Sequence, residues 1–250
     1  MSSLEQGKDW VPSHNNIAGL LSNSEIDNLR LVHDSSNYVF LVDLFCSSTE
    51  QGLGVYKPAK GERPLHDFPI DSLYLREVAT FEISRLLGWD LIPPTVICNG
   101  PHGIGSLQLF IPHDPSQHYF ELRKNSNYED QLSLIAAFDL IVNNADRKGG
   151  HVLLGNDNQI WCIDNGLCFN QYYKLRTVIW DYAGKKLPEK YCEDLQRILG
   201  YLESHQGQKE FLRFICIEEF SALVNRIKSF LENPILPTIS SNRSIPWPLI

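Results

Sequence analysis

The chain has no excess of positive charge: 22 Lys and Arg stand against 30 Asp and Glu, a formal net charge of −8 over 250 residues. That balance argues against nucleic acid or an anionic membrane surface as the default partner. Long apolar runs are missing too, and the N-terminal string MSSLEQGKDW has no apolar signal core. A cytoplasmic protein with no stable membrane insertion is the expectation. Cysteine is sparse: Cys46, Cys98, Cys162, Cys168, Cys192 and Cys216 form no CxxC pair and no ligand-like group with histidine. A disulfide framework and a zinc site are therefore not expected, and reduced, mostly buried thiols are predicted. Several catalytic signatures are absent as well: GxSxG, HExxH, GxxxxGK followed by Ser or Thr, and GxGxxG after a strand.

What the chain does have is a hydrophobic content of 43%, enough for one domain of two lobes or two small domains with a substantial core. No internal repeat interrupts it. Residues 1–15 are polar and read as a flexible arm. Residues 16–112 read as a β-rich N-lobe, beginning with a strand at 29–33, a turn at 34–37 and a strand from Tyr38 to Cys46. A third short strand, Gly52 to Tyr56, delivers Lys57 just before Pro58, and the three make an antiparallel meander. A helix capped by Asp71 or Ser72 follows, with Leu73, Val78, Phe81, Ile83, Leu86 and Leu87 as its stripe and Gly88 as its stop. Strands are predicted at 91–98 and 105–111. Residues 113–232 read as a helical C-lobe, with helices at 130–142, 188–202 and 208–231. Residues 233–250 carry four of the prolines and read as an irregular tail that packs through Trp247. The class is α+β, with a cleft between lobes.

The most informative stretch runs from Asn143 to Phe169. Asp146 and Arg147 follow a helix-like segment. Val152 to Leu154 and Ile160 to Ile163 flank the polar turn 156–159, and Asp164-Asn165-Gly166 closes the run. A hairpin of that size returns the chain on itself and brings the two carboxylates together at one end. Close carboxylates repel unless a cation or proton intervenes, and Mg²⁺ held by carboxylate and phosphate oxygens suits that position. Asp164 is the leading metal ligand. His151 either shares the metal or hydrogen-bonds to Asp164 or to a phosphate. Asp146 is placed to orient the acceptor hydroxyl or take its proton, and Arg147 to brace the loop by pairing with a carboxylate. Asp139 is read as a brace for that loop.

Upstream, Lys57 ends a strand and Glu77 lies in the first half of the next helix, the arrangement of a phosphate-binding lysine oriented by a helical glutamate. Two solvated surface charges would give the same local pattern; the ordered acids downstream favour the functional reading. Ser35, Ser36 and Asn37 lie in a glycine-free turn that can offer hydroxyls and backbone N–H groups to phosphate, although ordinary hairpins use such turns as well.

These residues resemble a known family. Asn143-Asn144-Ala145-Asp146-Arg147 followed by Ile163-Asp164-Asn165-Gly166-Leu167 is similar to the catalytic and metal-binding loops of the phosphatidylinositol 3-/4-kinases, type II phosphatidylinositol 4-kinases most of all. Nearly the whole chain also resembles a small bacterial branch of that family, through the strings at 55–69, 75–95, 113–120 and 175–188. The resemblance implies a two-lobed protein-kinase-like fold with ATP between the lobes and Mg²⁺ at Asp164. It implies catalytic roles for Asp146, Arg147, Lys57 and Glu77, and adenine contacts from backbone groups near Gln108, Leu109 and Phe110. His151 replaces the family's metal-sharing asparagine, and no basic patch for an inositol lipid follows Asp164. The expected function is thus ATP- and Mg²⁺-dependent phosphoryl transfer to a hydroxyl of a protein or small molecule. A nucleotide-binding pseudokinase acting as an interaction module and an AMP transferase are the alternatives; a lipid acceptor is less favoured.

Overall fold

A computed structural model describes residues 10–32, 37–47, 51–239 and 241–250. Residues 1–9 of the expected arm, His33 of the first expected strand, and Ser35 and Ser36 of the expected phosphate turn lie outside the described residues. The chain divides into two compact units, the first made of Met1–Val78 and Pro93–Ile111, the second of Ala79–Ile92 and Pro112–Ile250.

The first unit is built on a five-stranded antiparallel sheet: β1 (Glu25–Leu31), β2 (Phe40–Phe45), β3 (Gln51–Pro58), β4 (Thr95–Gly100) and β5 (Gly103–Leu109), in the order β1-β2-β3-β5-β4. The meander of β1, β2 and β3 is the one expected, with β1 starting earlier than residue 29. β3 alternates half-buried and buried positions along its length, and its Pro58 sits at the final register position opposite Gly105. Val42, Leu44, Tyr56 and Leu107 are fully buried in the sheet core, and Trp10 is buried as well. A short helix, α1 (Ile17–Asn23), was not expected; it packs against β4 and β5. β4 does not start at Leu91. Pro93 and Pro94 lack the donors a ladder needs, so pairing begins at Thr95.

Helix α2 (Leu73–Leu87) has the predicted stripe and the stop at Gly88, whose φ is +71°. Its N-terminal cap is not Asp71 or Ser72. The Glu62 carboxylate accepts from the Leu73 and Tyr74 amides at 3.0 and 2.8 Å, while the Ser72 hydroxyl turns to the Pro69 carbonyl. A carboxylate there satisfies two orphan donors and complements the positive end of the helix dipole.

The second unit packs around α4 (Glu129–Val142), in which Leu132, Ile135, Ala137, Phe138, Ile141 and Val142 are essentially inaccessible. A helix apolar on nearly every side is a core helix. β6 (His113–His118), α3 (Tyr119–Leu122), β7 (Val152–Gly155) and β8 (Ile160–Cys162) complete the β-containing part, with sheet order β6-β7-β8. The hairpin of β7 and β8 is the predicted one, closed by Asn158 at a φ of 62°; β6 joins it as an unforeseen third strand. Helix α5 (Glu189–Glu203) buries Leu195, Ile198 and Leu202 on one face.

The single helix expected over 208–231 is two, α6 (His205–Phe211) and α7 (Ile217–Glu232). The break is set by a capping box at Cys216, whose amide is accepted by Glu219 at 3.2 Å. Trp247 does not pack on the body: it is 85% exposed. The tail is held instead by the buried Leu236 side chain and through its backbone, with the Thr177 amide on the Ser244 carbonyl and the Gly149 amide on the Leu249 carbonyl. All six cysteines are free, but only Cys162 and Cys168 are buried and Cys216 is exposed, so the thiols are less buried than expected. No helix among the described residues is long and apolar enough to cross a membrane.

Candidate active site

The end of α4 supplies the first part of the site. Asn143 leaves the helix in the left-handed region at a φ of 54°, which asparagine tolerates better than most residues. Both asparagines that follow the helix are fully buried and act as braces. The Asn143 amide donates to the Asn170 and Tyr172 carbonyls at 2.9 and 2.7 Å, and its carbonyl accepts from the Lys174 amide at 2.8 Å. Asn144 accepts from the Asp146 amide at 2.9 Å and donates to Asp139. The Ala145 amide reaches the Leu167 carbonyl at 2.9 Å, which ties this loop to the one carrying Asp164.

Arg147 closes the arrangement from inside. Its side chain and that of Asp139 are both completely buried. The guanidinium donates to both Asp139 oxygens at 3.0–3.1 Å, to the Ile163 backbone carbonyl at 2.8 Å and to the Asn165 side-chain Oδ1 at 2.6 Å. Burial pushes the Asp139 carboxyl up, against the pull of Arg147, Asn144 and Thr177. One side chain therefore clamps the end of α4, the Asp146 loop and the Asp164 loop. Arg147 is out of reach of any ligand in solvent and acts by positioning. Asp139 braces the loop as read from the sequence.

Asp146 and Asp164 are brought together, as the hairpin predicted. Burial raises the Asp146 pKa; the Asp164 charge adds to the rise, while Lys148 and Arg176 oppose it. The Lys148 ammonium lies 3.4 Å from the Asp146 carboxylate. Asp164 is itself left-handed, with a φ of 57°, and its side chain is 54% exposed. The His151 Nε2 lies 3.4 Å from its carboxylate. The Lys148 amide approaches His151 Nδ1 at 3.4 Å, so Nδ1 accepts and the Nε2 proton faces Asp164. Among the described residues, no three His, Cys, Asp or Glu side chains form a self-sufficient metal cage. A pair of mutually repelling carboxylates, one of them half exposed, fits a hard cation that takes most of its ligands from phosphate and water.

The first unit contributes a separate pair. Lys57 on β3 and Glu77 in the first half of α2 form an ion pair, with side chains 18% and 4% exposed. A surface pair would be far more open, so the solvated-charge reading is set aside. Asn37 accepts from the Arg63 amide at 2.9 Å. Gln108 is buried and donates to Thr95, while the amides of Leu109 and Phe110 are engaged by the Pro94 and Leu53 carbonyls. Those two amides are spent inside the sheet. Gly149 has a packing reason: a Cβ there would lie 2.6 Å from the Phe120 ring and 3.2 Å from the Leu249 carbonyl.

Residues 96–235 match the family described as phosphatidylinositol 3- and 4-kinase. The chain belongs to that family. It is 35% identical to Protein Rv2133c of Mycobacterium tuberculosis over 268 residues, covering 92% of this chain and 94% of that protein. The fold is similar to that of a Golgi casein kinase, with a TM-score of 0.58 at 15% identity over 87% of this chain and 73% of that one. Hydra Fam20 gives a TM-score of 0.51 at 15% identity over 87% and 89%. The architecture of this phosphatidylinositol 3-/4-kinase-like protein is thus a kinase-like α+β fold, β-rich first and helical later. Lys148 and Arg176 were given no role from the sequence, and Asn143, Asn144 and Asn165, quoted there as part of the motif, were not read as braces. The Asn doublet before Asp146 and the Lys two residues after it were the available signals.

Proposed function

We propose that the protein is an ATP- and Mg²⁺-dependent phosphotransferase that moves the γ-phosphoryl group to a hydroxyl of a protein or small molecule. The observation that carries this reading is the pair of acids, Asp146 and Asp164, on two loops fixed by the buried Arg147, with the Asp164 charge raising the Asp146 carboxyl. In this reading Asp164 holds the metal, which neutralises charge on the transferring phosphoryl group. Asp146 orients the acceptor hydroxyl and takes its proton, helped by a pKa raised toward the working pH. Lys148, beside Asp146, supplies positive charge where the phosphoryl oxygens pass. In the first unit, Lys57 takes the nucleotide phosphates and Glu77 keeps its ammonium in place.

His151 favours a second reading. Its Nε2 proton faces Asp164, so a metal shared by both side chains requires that proton to leave. A protein that binds nucleotide and turns it over slowly, or transfers a nucleotidyl group, is the alternative. Thermal melting separates these from no nucleotide site at all. ATP with Mg²⁺ at 100 times its Kd stabilises the fold by about 2.7 kcal/mol, and Asp164→Ala removes the Mg²⁺-dependent part. No shift with ATP, with or without Mg²⁺, rejects the nucleotide reading. Transfer of label from γ-labelled but not α-labelled ATP to an acceptor distinguishes phosphoryl from nucleotidyl transfer.

A further inference from the structure

Each acid of the candidate site has a basic partner on one short turn, residues 148–151. The Lys148 ammonium lies 3.4 Å from the Asp146 carboxylate, and His151 Nε2 lies 3.4 Å from that of Asp164. The turn closes on itself through the His151 amide on the Lys148 carbonyl at 3.2 Å. The Ile163 amide on the His151 carbonyl, at 2.9 Å, ties it to the segment carrying Asp164. Where this turn sits therefore sets both distances.

Part of its support comes from far along the chain. Gly149 is buried, and a buried amide needs an acceptor. The acceptor is the Leu249 carbonyl at 2.7 Å. Phe120 of α3 closes on the same glycine, so closely that a Cβ there would lie 2.6 Å from its ring. Helix α3 and the tail thus hold the turn together.

Ser244 fixes the near end of the tail segment involved. Its carbonyl accepts from the Thr177 amide at 3.1 Å and from the Trp180 indole at 3.3 Å. The Thr177 hydroxyl in turn donates to Asp139 at 3.4 Å, so the anchor is the frame that Arg147 clamps. Between the two anchors Pro246 is buried, and its ring limits how the chain can bend. The large apolar side chains gain little from this arrangement: Trp247 is 85% exposed and Ile250 63%. A segment kept only for core packing would bury those groups. This one engages the turn through its main chain.

We propose that residues 244–249 act as a strap whose Leu249 carbonyl positions the 148–151 turn, and with it Lys148 and His151, against Asp146 and Asp164. The strap touches no reacting atom; it acts by positioning. A misplacement of about 1 Å costs about 10²-fold in rate even when its origin is remote from the chemistry. The catalytic consequence rests on the phosphotransferase reading, whereas the structural one does not.

Removal of Leu249 and Ile250 from the otherwise full chain deletes the acceptor and keeps the Ser244 anchor. A melting temperature near the parent's verifies that the shortened chain folds. Ile250→Ser is the control, since it alters an exposed side chain and leaves the main chain intact. In the shortened chain the Gly149 amide should exchange with solvent about fivefold faster, the worth of one hydrogen bond, and the His151 ring resonances should move. Transfer of γ-label should slow by about 10²-fold with the KM for ATP unchanged, which marks lost positioning rather than lost binding. Ile250→Ser should match the parent in every readout. His151 resonances that stay in place in the shortened chain, a faster transfer, or an equal loss in Ile250→Ser overturns the proposal. A parent that transfers no label sinks the phosphotransferase reading instead, and amide exchange with the His151 resonances then decides the strap.

Discussion

At Asp146, burial and the neighbouring Asp164 hold the carboxyl above its ordinary range. The folded chain therefore binds this proton more tightly than the unfolded chain, and the group's contribution to stability declines as pH rises through that window. Asp146→Asn should melt above the parent at pH 7, with the difference vanishing below about pH 4, the ordinary carboxylate range. Phosphoryl transfer should fall by about 10²–10⁴-fold in the same variant, the usual worth of a positioned acid or base. A variant that melts lower at pH 7 would contradict the assigned environment. Arg147 makes the opposite case. Arg147→Met leaves Asp139 buried without its counter-charge, and should cost about 3–5 kcal/mol in denaturant unfolding. Adding Asp139→Leu should recover much of that loss, since neither charge then remains. Asp146, Asp164, Lys57 and Glu77 could be picked out of the sequence because their order and flanking strands are local. The bracing roles of Asn143 and Asn165 could not: they act on groups 18–31 residues away in the chain.

Among the elements, those with a strong local signal are where the sequence put them: the β2–β3 pair, the β7–β8 hairpin, α2, α4 and α5. Where the structure departed from the sequence reading, the deciding cue was distant or weak. Glu62, 11 and 12 residues before the amides it accepts, caps α2 in place of Asp71 or Ser72. The break between α6 and α7 rests on a cap at Cys216, whose thiol is a weak donor and acceptor and so an uncommon N-cap. Glu219→Ala removes the carboxylate that accepts the Cys216 amide and should cost about 1 kcal/mol, the typical worth of a cap, measured by chemical unfolding with no change in nucleotide affinity. A cost near zero would mean the break is set by packing alone. The tail follows the same rule: Trp247 suggested an anchor by its size, yet the anchors are the Leu236 side chain and the carbonyls of Ser244 and Leu249.

For the whole molecule, charge and topology answer to different levels of description. The pI of about 5.5 and the net charge of −8 are properties of composition, and solubility should pass through a minimum near pH 5.5 and recover on either side; a turbidity scan across pH measures it. A five-stranded sheet ordered β1-β2-β3-β5-β4 and a three-stranded one ordered β6-β7-β8 are not compositional. The sequence by itself determined the class and the family, because periodicity, turn residues and short motifs act over a few residues. Only the tertiary structure decided that Arg147 is a buried clamp, and that Lys57 and Glu77 are shielded from water. Each of those depends on desolvation, and desolvation is set by which distant segments pack over a side chain rather than by its neighbours in the chain.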